Sequence, residues 1–231
     1  ISPVYKNICI YGYSDFAKEA HIPSISNQNN LELAGVFNRS PIKEGQVDIV
    51  DAKKLSSNSI GTIVISSNHG THATILLEMI NLNKFTIVDK PLCINSDELN
   101  QIINAREVYN ANYVCFMSRR YSEHTLHLEK YINNRTGPFH LDLNFQVPRK
   151  DVNDPIYKEG GRLVGEMCHH VDLAIFLLGK PLKISYADTD ESSPISLREN
   201  ASILLTFKNG STAYIRYSSI GNSEGVKEKI K

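Results

Sequence analysis

The residues whose types and spacing could do chemistry begin with Gly12-Tyr13-Ser14-Asp15-Phe16-Ala17. They follow a short β-branched run and open a helical pattern, where a dinucleotide turn of the form G-x-G-x-x-G/A would stand. Such a turn needs a tight bend, close backbone approach to a pyrophosphate and a helix N-terminus with open N–H groups. Gly12 supplies the bend and Ala17 the close packing, with Phe16 between. Ser14 replaces the second glycine and offers a hydroxyl in compensation. An ordinary strand-to-helix turn fits the same six residues. Further on, Asn38-Arg39-Ser40 ends the second apolar run without a carboxylate for the ribose diol of NAD. Arg39, with Ser40 as a second donor, suits the 2′-phosphate of NADP, so the pattern leans to NADP with NAD as the alternative. A solvated arginine in a polar turn is the plainer reading.

A second group lies in a long helical pattern, where Glu166 precedes His169 by three residues and Asp172 follows it by three, spacings that bring side chains together. His170 fits ordinary packing. Glu166-x-x-His169, and the pairs His69 with His72 and His124 with His127, have a metal-ligand look. A metal needs three or four convergent ligands, and no second Glu-x-x-His or cysteine pair provides them, so no metal is expected. Arg119 and Arg120 offer planar forks. One suits a substrate carboxylate or phosphate, the other a structural ion pair.

The elements that would position these groups alternate at first. Strands are expected at Asn7 to Tyr11, Leu31 to Phe37, Thr62 to Ser66, Phe85 to Asp89 and Tyr113 to Met117, with helices at Ala73 to Leu82 and at Ser96 to Asn110, the latter capped by Asn95. That is one doubly wound α/β domain, residues 1–117. Residues 118–231 change rhythm, with helices at Glu123 to Asn133 and Leu163 to Leu178. Strands there are expected at Phe139 to Val147, Lys183 to Ala187, Ala201 to Phe207 and Ser211 to Ser218. Asn209-Gly210 reads as a two-residue hairpin turn. An α+β domain with a largely antiparallel open sheet follows, and Lys227 to Lys231 shows no closing element.

Composition narrows the partners. The 25 Lys and Arg balance 25 Asp and Glu. Without a basic stripe this argues against nucleic acid or an anionic membrane surface and for a small molecule. No apolar run approaches the roughly 20 residues that span a bilayer, so a soluble chain is expected. Cys9, Cys93, Cys115 and Cys168 sit among apolar neighbours with no CxxC pair, which points to buried thiols and a reducing, cytoplasmic setting. The chain opens on Ile1 rather than Met, so an excerpt of something longer is expected.

Three further motifs carry a family likeness: Ser66-Ser67-Asn68-His69-Gly70-Thr71-His72, Val88-Asp89-Lys90-Pro91-Leu92, and the run from Gly160 to Asp172. From Asn7 to Lys229 the chain resembles the glucose-fructose oxidoreductase, inositol dehydrogenase and MocA (Gfo/Idh/MocA) family of NAD(P)-dependent oxidoreductases. Asp15 to Lys18, Asn68 to Ala73, Ser118 to Tyr121, Gly161 to Glu166 with Cys168-His169, and Lys227-Glu228 resemble the branch fused to alcohol-dehydrogenase-like domains.

The resemblance implies a Rossmann domain followed by a substrate and dimerisation domain, incomplete at its C-terminus, whose sheet makes a homo-oligomer. It implies hydride transfer between a nicotinamide and a secondary alcohol or ketone of a sugar, sugar nucleotide or polyol. Lys90 would stand beside the nicotinamide and the substrate hydroxyl, next to Pro91 and a commonly cis peptide, with Asn68, His72 and Pro91 shaping the nicotinamide side. His169 would accept the proton and converge with Lys90. The family aspartate one turn earlier is Gly165 here, and Glu166 could orient the imidazole instead. Arg119, Arg120 and Asp172 would meet substrate. A glycosidase of the same family using held NAD, and a non-catalytic NAD(P)-binding sensor or scaffold, are the alternatives.

Overall fold

The computed structural model describes residues 3–42, 47–188, 193–222 and 224–231. They divide into two units, Ile1–Phe116 and Met117–Lys231. In the first, parallel strands β1 (Asn7–Tyr11), β2 (Glu32–Phe37), β3 (Thr62–Ile65), β4 (Phe85–Asp89) and β5 (Tyr113–Phe116) stand in the order β2-β1-β3-β4-β5. Helices α1 (Ile22–Ser26), α2 (Ala52–Ser56), α3 (His72–Asn81) and α4 (Ser96–Tyr109) connect them.

Alternate residues of β1 serve opposite faces. Ile8 and Ile10 pack with Val36, Val64, Ala17 and Ile25, whereas Cys9 and Tyr11 pack with Ile63, Ile65 and α3 residues Ile75, Leu76 and Met79. Burial on both faces is why these strands read as continuous apolar runs. Each fully buried isoleucine contributes about 2 kcal/mol of transfer free energy. Cys9 lies deep enough that burial pushes its thiol up to about 11. None of the four cysteines is in a disulfide. The Asn95 side chain accepts from the Glu98 N–H at 2.9 Å and starts α4, and Asn110 at φ 46° ends it.

The second unit has helices α5 (Glu123–Asn133) and α6 (Cys168–Leu178) and strands β6 (His140–Gln146), β7 (Lys183–Asp188), β8 (Ala201–Thr206), β9 (Thr212–Ser218) and β10 (Glu228–Ile230). The sheet runs β10-β6-β9-β8-β7 and is antiparallel except for the parallel β6–β9 pair. Leu141, Leu143 and Phe145 of β6 and Ala213, Ile215 and Tyr217 of β9 face Leu173, Ala174 and Leu177 of α6. No helix among the described residues is long and apolar enough to cross a membrane.

Three features depart from the sequence expectation. Asn209-Gly210 does not make a two-residue turn. Phe207 N–H donates to the Ser211 carbonyl at 2.9 Å across three residues, the last being Gly210 at φ 85°. The helical pattern from Leu163 begins as a π turn, Leu163–Met167, and a second π turn, Ala17–His21, precedes α1. Such insertions recur at functional sites and leave no trace in a 3.6-residue period. Finally, the charged segment after Lys227 joins the sheet as the edge strand β10 beside β6, and its Glu228 has internal partners. Glu228 lies 3.0 Å from Nε2 of the fully buried His170 and accepts from Arg119.

Burial alone would raise the Glu228 carboxyl, but hydrogen bonds from His170 and Arg119 outweigh it and hold the group down at about 2, against an ordinary 4.5. A depressed folded value means the stabilisation is whole above about pH 4.5 and is lost as the pH falls towards 2. Glu228→Ala should cost on the order of 3 kcal/mol at pH 7, by leaving the half-buried Arg119 guanidinium and the buried His170 ring without their carboxylate. Urea melts at pH 7 and pH 3 test this, the gap between wild type and variant narrowing in acid.

Candidate cofactor and active site

The order of the first sheet reverses between β1 and β3. At such a switch point the loops after adjacent strands part and leave a crevice at the carboxyl ends. Gly12 stands there at φ 106°, and a Cβ on it would lie 2.3 Å from the Ser66 carbonyl oxygen, so only glycine fits. Ser14 Oγ accepts from the Ala17 N–H at 3.0 Å and pairs with Ser66 Oγ at 2.7 Å. The hydroxyl thus caps the helical turn and ties the loop after β1 to the end of β3. Ala17 is fully buried, and Phe16 is exposed with its ring edge-on to His21. Tyr11, Gly12, Tyr13, Ser14, Asn38, Arg39, Ser40, Ser67 and Asn68 line one cavity of about 330 Å³. Six of the sequence candidates therefore share a wall.

Arg39 is not simply solvated. Its Nε donates to the Tyr11 hydroxyl at 2.8 Å and its NH2 to Glu78 of α3 at 2.8 Å. Glu78 was invisible to motif reasoning because the carboxylate arrives from a helix rather than from the end of β2.

Lys90 follows β4, half-buried, and the Lys90–Pro91 peptide is cis, as the resemblance implies. Two histidines brace this corner. His72 is 1% exposed, with Nδ1 2.7 Å from the Pro91 carbonyl and Nε2 2.9 Å from the Ser67 carbonyl. Both partners are backbone carbonyl oxygens. The His72 ring nitrogens, expected to face the nicotinamide side, thus lie against backbone carbonyls of the loops after β3 and β4. His21, which sequence reasoning missed, holds Asp89 at 2.8 Å and so links the π turn after the Gly12 loop to the residue before Lys90. Nothing in a 68-residue separation signals that pair.

In the second unit His169 sits at the start of α6, half-buried, and Gly165 is buried in the π turn before it. The Glu166 carboxylate accepts from the Tyr217 hydroxyl and from Arg162 at 3.2 Å. Arg162, 2% exposed, also donates to the Pro148 carbonyl and to Glu199. Burial would raise the Glu199 carboxyl, but hydrogen bonds from Tyr157, Ser219, Arg149 and Arg162 take it below the ordinary value. The His170 imidazole has a carboxylate partner in Glu228, 3.0 Å away. Arg119 donates from one terminal nitrogen to both Glu228 oxygens, and Arg120 forks onto Asp172 with Nε at 2.8 Å. Both arginines thus hold carboxylates of their own unit, where one had been expected to remain for substrate, and Asp172 is an ion-pair partner.

Comparison with known proteins agrees with this geometry. Residues 6–117 match the oxidoreductase family with NAD-binding Rossmann fold, and residues 137–226 match the GFO/IDH/MocA C-terminal domain. The chain belongs to the Gfo/Idh/MocA family. Among its curated relatives, the uncharacterized oxidoreductase YrbE of Bacillus subtilis (strain 168) is 24% identical over 168 residues, 70% of this chain and 49% of that protein. The chain therefore spans about half the length of that relative. A candidate myo-inositol dehydrogenase from Sinorhizobium meliloti 1021 superposes with a TM-score of 0.82 at 18% identity, covering 97% of this chain and 72% of that one. GenD2 from gentamicin A biosynthesis, solved with NAD, gives 0.80 at 16% identity, covering 97% and 68%.

The residues present fit the dinucleotide that the Gfo/Idh/MocA family implies. A side chain at Gly12 would fill the cradle, and the cavity beside it carries Ser14, Asn38, Arg39, Ser40 and Asn68 as hydrogen-bonding groups. Gly12→Ala should destabilise the first unit by about 2 kcal/mol or more, through left-handed strain and the clash with Ser66. A thermal melt unchanged from wild type would show that the Ser66 carbonyl yields at no cost.

Proposed function

We propose that this chain belongs to an NAD(P)-dependent oxidoreductase that moves hydride between a nicotinamide and the secondary alcohol or ketone of a sugar, sugar nucleotide or polyol. The observation that carries the reading is the switch-point cradle, where Gly12, Ser14 and Ser66 bring two strand ends together beside a polar cavity. When bound there, the dinucleotide supplies the hydride acceptor or donor. Gly12, Ser14, Phe16 and Ala17 form the phosphate turn, Asn38, Arg39 and Ser40 face the adenosine ribose, and Asn68 and Pro91 border the nicotinamide. Arg39 favours a 2′-phosphate and Glu78 opposes it, so NADP and NAD both stand as cofactors in this reading.

Lys90 binds the substrate hydroxyl and carries its proton, and His169 is the second proton-handling group. The S. meliloti neighbour's name is that of a polyol dehydrogenase, which supports a polyhydroxy substrate. The ion pairs of Arg119 and Arg120 support a neutral one, since neither guanidinium stands without a carboxylate. The chain would work in the cytoplasm, as a homo-oligomer that covers Leu204 and Tyr214 on the outer face of the second sheet. A second reading, a non-catalytic NAD(P)-binding protein, draws on Gly165 in the place of the family aspartate and on Glu166 held by Arg162 and Tyr217.

Turnover of a panel of sugars and polyols, followed by reduced-nicotinamide absorbance, tests the assignment. Lys90→Ala should lose on the order of a hundredfold or more in kcat while dinucleotide still binds. Undiminished turnover would remove Lys90 from the chemistry. Dinucleotide binding by wild type with no turnover on any member of the panel would favour the non-catalytic reading.

A further inference from the structure

We infer that Glu78 discriminates between NAD and NADP by holding Arg39 against a 2′-phosphate. The inference rests on the cofactor reading above and names the residue that sets its selectivity. Arg39 stands two residues after β2 on the wall of the cavity, and its Nε bond to the Tyr11 hydroxyl at 2.8 Å anchors the guanidinium in one orientation. Tyr11 is itself buried, with its ring centre 5.8 Å from the guanidinium carbon. So fixed, Arg39 presents its NH2 to Glu78 at 2.8 Å. Glu78 stands one turn beyond Ile75 on α3, and Ile75 lines the same cavity, so the two share a helix face. The carboxylate absent from the end of β2 is thus delivered from the neighbouring helix.

Two consequences follow for the ribose. A doubly charged 2′-phosphate at Arg39 would share the guanidinium with an existing carboxylate, and like charges around one donor repel. A neutral 2′-hydroxyl meets no such repulsion and finds in the carboxylate an acceptor. Glu78 therefore works against one cofactor by repulsion and for the other by accepting a hydrogen bond. The side chains of Arg39 and Glu78 are 53% and 45% exposed, so solvent and salt screen the effect and keep it to about tenfold.

Isothermal titration of the full chain with NAD and with NADP reads this out without turnover. Glu78→Gln should raise the ratio of NADP to NAD affinity about tenfold, with a smaller gain at high salt. Glu78→Asp, which keeps the charge, should stay near the wild-type ratio. In the double variant Arg39→Gln/Glu78→Gln the gain should disappear, because the phosphate has lost its partner. An unchanged ratio in a folded Glu78→Gln protein that still binds dinucleotide would overturn the role of Glu78 alone. Wild type that binds neither dinucleotide would overturn the cofactor reading and the inference together.

Discussion

The approach of Gly12 to the Ser66 carbonyl is the constraint on which the first unit's site depends. Parallel strands β1 and β3 run side by side, and their carboxyl ends must part to open a crevice without losing the hydrogen bonds that hold them. The backbone manages this through Gly12 N–H to the Phe37 carbonyl at 2.8 Å and Ser66 N–H to the Tyr11 carbonyl at 2.9 Å. A β-carbon at Gly12 would occupy the space the Ser66 carbonyl needs. Ser14 then does with a side chain what a second glycine does with close backbone approach. Its oxygen caps the helical turn and its partner Ser66 fixes the far wall.

The same logic of bracing governs the corner at Lys90. A flexible lysine can act at a defined point only if the backbone beneath it is immobile, since misplacement by an ångström is costly to a reaction. His72 joins the loops after β3 and β4 through two carbonyls, and His21 joins the phosphate-loop helix to Asp89. The phosphate turn, the loop after β3 and the cis peptide are therefore one mechanically connected set.

How much of this was legible depended on the range of the interaction. The strands of the first sheet could be read from runs such as Thr62 to Ile65, because burial on both faces writes itself into consecutive residues. Asn95 and its helix were legible because a cap acts over three residues. Gly12, Ser14, Asn38, Arg39 and Ser40 were found as motif positions, and they do line one cavity. What they touch was not legible. Glu78 with Arg39, His21 with Asp89 and His170 with Glu228 are separated by 39, 68 and 58 residues, and no local pattern selects one carboxylate among 25. The π turns escaped for a different reason, since one inserted residue shifts a helical face without changing its composition.

The second unit shows why charged candidates are the hardest to assign. Arg119, Arg120 and Arg162 each carry a permanent charge, and burying or half-burying such a group is costly unless a carboxylate stands beside it. Glu228, Asp172, Glu166 and Glu199 fill that need within the unit. A carboxylate that meets an arginine's desolvation is thereby less available to orient an imidazole, and an arginine that meets a carboxylate is less available to an anion. Gly165 stands one turn before His169, where the resemblance implies an aspartate, while His170 beside it is fully buried on Glu228. The ion pairs thus commit the charged side chains of α6 and β10 to partners within their own unit.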